Sequence, residues 1–407
     1  MLRRVQLRRE VDDATPCGLA YAGRIGAGEL GHTLNISRRV VRVSYLPSHP
    51  PSGELMRLFL RSFAALFILF GPTALVAQGV AATTRWFRGN THTHTWNADG
   101  DSPPDAVLAW YRDRGYNFVV LTDHEWVTDV APLNALYATP NRFLAISGQE
   151  VTQRVADPAH PGGIREAHLN ALGIRQVILP MGDAGVATGT RIGPTLSRNA
   201  TRIKDAGGVV QANHPNFRWS VPSAELASLP DSSLLEIFNG HPEANNDGGV
   251  DTEGVRKNST EAIWDTLLTR GKLIWGVASD DSHSLKIAEA DRPDLSRPGR
   301  GWIQVRADTL SATAILSAIR RGDFYASTGV TLRAYEASAT EIRVSIQPEG
   351  DRRYRTEFIG SGGRVLATSS TLTSTYRIVG NEGYVRARVI DSGGRRAWMQ
   401  PVVVRGR

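Results

Sequence analysis

The chain has 407 residues, 41% of them hydrophobic and 21% charged, an ordinary globular composition long enough for one large folded unit and a smaller one. Its net charge of +7 is unevenly placed. Residues 1–55 carry eight Arg against five Asp or Glu, and Arg57 and Arg61 add two more, which leaves +2 for the remainder. The basic balance therefore gives no argument for a nucleic-acid partner.

In chain order, residues 1–55 come first: Arg-rich, without a sustained apolar period, and holding the only cysteine, Cys17. From Met56 the sequence reads MRLFLRSFAALFILFGPTALVAQGVAA. A short basic start (Arg57, Arg61), an apolar stretch from Phe63 to Ala77 and small residues offering a cut after Ala77 or Ala81 are the layout of a secretory signal peptide over 56–81. The apolar run is short for a transmembrane helix. Such a signal belongs at the start of a chain, so Met56 is expected to be the true start and residues 1–55 a spurious or disordered extension. The mature protein would then be periplasmic or secreted, with no stable membrane anchor. It would also lack cysteine, which removes thiolate chemistry and disulfides.

From residue 84, apolar strand-like runs alternate with amphipathic stretches. Strands are predicted at 85–89 (RWFRG), 117–122 (NFVVLT), 143–147 (FLAIS), 208–212 (GVVQA), 234–238 (LLEIF), 273–278 (LIWGVA) and 302–307 (WIQVRA). Helices are predicted over 103–114, opened by Ser102 and closed by Gly115, after Ser259 up to Gly271, and from Ser311 to Gly322. Strand–helix alternation predicts an α/β fold of parallel units, and about seven repeats over residues 84–330 favour a closed barrel over an open sheet. From 331 to 407, short alternating strands between EGD, GSGG, GNEG and DSGG predict a small antiparallel β-sandwich.

Histidines and carboxylates fall at or near the ends of these runs: His92 and His94 in GNTHTHTWNADGD, His124 in LTDHE, Glu150 in SGQEVT, His168 in EAHLNALGI, His214 in GVVQANHPNF, and Asp281 with His283 in GVASDDSH. The C-terminal rim of a barrel is where such folds build active sites. Imidazole and carboxylate together suit Zn, Mn or Fe, and no thiolate is available. His92 and His94 share one face of an extended strand, as do Asp281 and His283. Asp123 and Asp280 each precede a candidate ligand and are read as ligands or as partners fixing a His tautomer. His160 and His241 lie in loops and read as ordinary loop histidines, His241 being kept as a weak candidate for substrate contact.

In order, THTHTWNADG, LTDHE, GQE, the HLN of AHLNALG, ANHP and SDDSH resemble the metal motifs of the PHP (polymerase and histidinol phosphatase) superfamily, over residues 84 to about 330. FNGHPEANN, RRGDFYASTGV and YVRARVIDSGGRRAWMQPVVV resemble its branch of secreted or periplasmic metallohydrolases that includes carbamate-insecticide hydrolases (the CehA/McbA type). The resemblance implies two or three divalent ions on a distorted (β/α)7 barrel. One ion would take His92, His94, Glu150 and Asp281. A second would share Glu150 and add His168 and His214, and a third would take Asp99, His124 and His283. Many relatives carry His at the Asp99 position, and Asp101 competes for the same role.

The chemistry implied is hydrolysis by a metal-bridged hydroxide, with Asp123 and His283 as the catalytic side chains and Arg154, Arg165 and Arg218 placed to hold a phosphate. The superfamily favours a small-molecule phosphate ester, the branch a carboxylic ester, carbamate or amide. A reading of another class is a non-catalytic metal-binding scaffold. N-terminal peptide analysis of the native protein is expected to recover nothing from residues 1–55; peptides from that stretch would contradict a start at Met56.

Overall fold

The computed structural model describes residues 84–288 and 292–404. The signal-like segment 56–81 and residues 1–55 lie outside them. All described residues fall in one compact unit, Gly79–Arg407. The strands are β1 (Arg85–Asn90), β2 (Phe118–Leu121), β3 (Leu144–Ala156), β4 (Ile164–Leu172), β5 (Val186–Ala187), β6 (Val209–Ala212), β7 (Ser233–Asn239), β8 (Gly249–Val250), β9 (Arg256–Lys257) and β10 (Ile274–Ser279). They continue with β11 (Trp302–Ala307), β12 (Phe324–Ser327), β13 (Leu332–Ala337), β14 (Glu341–Ile346), β15 (Tyr354–Gly360), β16 (Arg364–Ser369), β17 (Thr373–Arg377), β18 (Tyr384–Asp391), β19 (Arg396–Met399) and β20 (Val402–Val403).

Local signals place the elements. The Ser259 side chain accepts from Ala262 N at the head of the helix Thr260–Thr269, and Ser311 accepts from Ala314 N ahead of Ala312–Arg321, which are N-caps. Gly322 closes the latter at φ 76°, the left-handed conformation glycine adopts without a Cβ penalty. Ser102 does not cap its helix: its hydroxyl bonds Asp101, and Pro103 precedes Pro104–Asp113.

The result is a mixed α/β fold around one large sheet, ordered β10-β7-β6-β4-β3-β2-β1-β11-β12-β19-β18-β15-β16. Two features depart from the sequence expectation. First, the sheet is not all parallel: β3–β4, β4–β6 and β1–β11 are antiparallel. The turn between β3 and β4 spans only 157–163, too short for the crossover a parallel pair needs. Second, the ladder is an open path. β10 lies against β11 and β12 but forms no ladder with them. Instead the Gln400 side chain accepts from Gly276 N at 2.9 Å and donates to Gly276 O at 2.8 Å, so a side-chain amide satisfies the edge where a ring would close.

The ladder also runs unbroken past residue 331, because β12 pairs with β19. A separate sheet, β13-β14-β17, shares a second apolar core with β15, β18 and β19, including Ile342, Val344, Phe358, Val385 and Met399. One buried ionic contact fastens β18 to the helix Thr260–Thr269. Glu261 and Asp265, four apart on one helix face, meet Arg386 at 2.8 and 2.7 Å, and Arg386 is 1% exposed. Removing one partner strands buried charge, so Arg386→Ala is expected to lower unfolding stability by about 3–5 kcal/mol in urea melts. Arg292→Ala, which breaks only the exposed pair with Asp294, should leave the melt unchanged.

Candidate metal centre

The β3–β4 register sets out the site. Glu150 pairs with Asn170, Thr152 with His168 and Arg154 with Glu166. Residues two apart in a strand share a face, so these six form one polar stripe running from the interior outwards. Bridges Thr93↔Ser282 and His124↔Glu150, with His94 N→Ser282 O at 3.0 Å and Asp281 N→His92 O at 2.9 Å, bring the segments after β1, β2 and β10 onto that stripe. His214 follows β6. His214 (φ 23°) and Asp281 (φ 49°) are non-glycine residues in left-handed backbone, strain of about 1–3 kcal/mol each of the kind that persists where surrounding structure fixes a functional side chain.

Glu150 is the centre. Its Oε2 lies 3.1 Å from His92 Nε2, 3.3 Å from His94 Nε2 and 3.3 Å from His124 Nδ1. Its Oε1 lies 3.0 Å from His168 Nδ1 and 3.3 Å from His214 Nε2. Asp281 Oδ1 adds contacts at 3.2 Å to His92 and 3.1 Å to His94. Ligand atoms of His92, His94, Glu150 and Asp281 lie within 4.8 Å of one another; so do those of Glu150, His168 and His214, and those of His94, Asp99, His124 and His283.

Five imidazole nitrogens cannot all serve one buried carboxylate as neutral donors. Burial works against charge here, lowering the imidazoles and raising the carboxylates, yet mutual attraction prevails. It holds His92, His94 and His283 above and His168 up to about 10, while Glu150 and Asp281 fall below the ordinary range. Divalent cations would supply that positive charge without the protons. His94 Nδ1 is buried and makes no hydrogen bond, yet lies 3.4 Å from Asp99 Oδ1, a pair of donor atoms that a shared cation would fit. The donor set, imidazole and carboxylate without sulfur, suits Zn, Mn or Fe.

Several residues that orient the candidate ligands were not read from the sequence. Glu236, wholly buried on β7, meets His92 Nδ1 at 2.8 Å and accepts from His214 N at 2.7 Å. It therefore turns His92 Nε2 toward the centre. Gln211 and Asn239 donate to Glu236, Asn213 donates to Glu150 Oε1, and Thr152 bonds His124 Nδ1. His283 Nδ1 donates to Asp281 O at 2.9 Å, which leaves Nε2 facing Asp99. The one local signal was a charged residue inside the apolar run LLEIF.

The structure separates the two competing aspartates. Asp99, 55% exposed, faces His94, His124 and His283 at 3.3–3.5 Å, whereas Asp101 accepts from Leu285 N and Lys286 N. Asp123, expected among the catalytic side chains, makes its hydrogen bonds to neighbouring loop residues. Its oxygens accept from Thr95 N at 2.6 Å, Thr95 Oγ1 at 2.8 Å and Thr128 Oγ1 at 3.3 Å, so it holds a loop. Asp280 fixes no histidine either; it accepts from the backbone of Gly299, Arg300 and Gly301 and from Tyr111.

Arg154 and Arg218 line a cleft of about 460 Å³ with His124, Glu125, Glu166, His168 and Phe217. Arg165 lies elsewhere, bonded to Asp157 and Ser220 O. His241 stands at the rim, its ring 5.7 Å from His283, and His160 is buried outside the cluster.

No family model matches the chain, and no curated protein does. Among solved structures it is similar to a two-domain protein of Bacteroides vulgatus containing a predicted PHP-like metal-dependent phosphoesterase, at 15% identity over 75% of this chain and 90% of the other, with TM-score 0.38. It is also similar to a candidate metal-dependent phosphoesterase of Bifidobacterium adolescentis, at 16% identity over 48% of this chain and 87% of the other, with TM-score 0.30.

Glu236→Gln is expected to weaken metal affinity roughly 10–100-fold in chelator competition, because a neutral amide replaces the carboxylate that fixes the His92 tautomer. Asp99→Asn should lower the metal-to-protein ratio measured by elemental analysis, and Asp101→Asn should not.

Proposed function

We propose that the protein is a metal-dependent hydrolase of the PHP type, a phosphoesterase acting on ester bonds of a small molecule at a multinuclear centre. The observation that carries this reading is Glu150, whose two oxygens lie within 3.3 Å of five imidazole nitrogens. In this reading His92, His94, Glu150 and Asp281 hold one ion, Glu150, His168 and His214 a second, and Asp99, His124 and His283 a third. Such ions lower the pKa of a coordinated water toward about 7 and polarise the substrate oxygen.

The chain's own residues do the rest. Glu236 and the Asp281 carbonyl set the tautomers of His92 and His283. The burial of Glu150 and Asp281 keeps bulk water from the inner ligands, while the exposed Asp99 marks the side open to substrate. Arg154 and Arg218 are placed at the cleft to orient an anionic group. In this reading the catalytic part lies within 84–330, where the sheet stays open at β10 and Gln400 takes the hydrogen bonds of Gly276, and the strands from β13 onward form a smaller part joined to it through the β12–β19 ladder. The segment from Met56 supports export to the periplasm or outside the cell, and no described helix is long and apolar enough to cross a membrane.

One observation favours a second reading, a carboxylic ester, carbamate or amide substrate as in the branch the sequence resembles. Arg218 NH1 is 3.1 Å from Glu166, and Glu125 lines the same cleft, so two carboxylates offset the two arginines facing a phosphate. Rates on p-nitrophenyl phosphate, bis-p-nitrophenyl phosphate and a naphthyl carbamate separate the electrophiles. With the preferred substrate, Glu150→Gln should abolish turnover and His241→Ala should reduce it only mildly. Equal losses would contradict the assignment of Glu150, and a metal-loaded protein inert on all three would favour the scaffold reading.

A further inference from the structure

The loops that carry the outer candidate ligands hold two exposed indoles that metal binding does not use. Trp96 is 59% exposed and Trp126 51%, while the remaining tryptophans of the described chain are buried or half-buried. Each exposed indole lies two residues beyond a candidate ligand of the outer grouping, Trp96 after His94 and Trp126 after His124. Lys286, three residues beyond His283, places its Nζ 5.3 Å from the Trp96 ring centroid.

These loops are tied together on both sides of the indoles. Asp123 accepts from Thr95 N and Oγ1 at 2.6 and 2.8 Å, and Asn97 Nδ2 donates to Thr128 Oγ1 at 2.8 Å. Asp101 accepts from Leu285 N and Lys286 N at 2.9 and 3.1 Å, fixing the third loop to the first. Half or more of each indole stays in water on a braced loop, so folding gains little from holding it there. Rigid aromatic faces beside a reaction centre are what a flat apolar ligand needs.

We propose that Trp96 and Trp126 are specificity-determining residues that stack an aromatic group of the substrate, so that the enzyme prefers aryl esters over short alkyl esters. This rests on the hydrolase reading above. A phospholipid surface fits less well, because Asp99 and Asp129 are exposed on the same loops and would repel anionic headgroups. The assignment also gives Asp123 its purpose: it positions the loop that carries Trp96.

The test compares 1-naphthyl phosphate with ethyl phosphate on the metal-loaded full chain, its Trp96→Ala and Trp126→Ala variants and the corresponding Trp→Phe variants. Each Ala variant should raise KM for the naphthyl ester about tenfold with kcat retained, leave ethyl phosphate unchanged, and be rescued by Phe. Quenching of indole fluorescence by 1-naphthylphosphonate, which cannot be hydrolysed, should weaken in the same variants. Parallel changes on both esters, or none on either with quenching unaltered, would overturn the proposal. If wild type cleaves neither ester, the hydrolase reading is what fails, and the quenching titration still decides aromatic recognition. Sedimentation with anionic phospholipid vesicles that depends on the two indoles would overturn the choice of a small aromatic ligand.

Discussion

The structure is organised around a buried carboxylate that more imidazoles approach than it could satisfy alone. Glu150 is 1% exposed and Asp281 4%, and a charge so far from water is tolerated only when paired and hydrogen-bonded. Nearly every unusual feature of the fold answers that demand. The β3–β4 hairpin breaks the parallel pattern to bring Glu150 and His168 onto one face. The backbone enters left-handed conformations at His214 and Asp281, and an inner layer of Glu236, Asn213 and Asn239 carries no apolar function at buried positions. Without a cation, the attraction of Glu150 and Asp281 favours the protonated forms of His92, His94, His168 and His283. The same side chains could instead hold divalent cations, which would supply that positive charge.

The outer grouping has a different character. Asp99 is half exposed and His124 and His283 are about a fifth exposed. Glu150 and Asp281 are buried, and the centre meets solvent here and at His168, which lines the cleft. The outer grouping is also where the loops after β1, β2 and β10 are cross-braced by Asp123 and Asp101. Second-layer carboxylates here fix loops rather than proton positions.

Much of the fold was legible because its signals are local. The runs 209–212, 274–279 and 302–307 are short, mostly apolar and β-branched-rich segments, and Ser259, Ser311 and Gly322 are caps that act within one turn. The candidate ligands were legible because histidine and carboxylate recur at strand ends. What sequence reading missed depends on distance. β4 (IREAHLNAL) was not read as a strand, since its polar residues face the centre instead of solvent. Glu236 orients His92 across 144 residues. The barrel expectation met an open edge because Gln400, far along the chain, takes the hydrogen bonds of Gly276. Asp99 and Asp101 are equivalent on paper, and only the backbone amides of Leu285 and Lys286 distinguish them.

Anomalous diffraction at transition-metal absorption edges, from crystals of protein purified without chelators, tests the central claim most directly. The account predicts anomalous density on both sides of the Glu150 carboxylate, one peak beside Oε2 with His92 and His94 and one beside Oε1 with His168 and His214. A Glu150 carboxylate bonded only to protonated histidines and water, in protein that retains its activity, would contradict it.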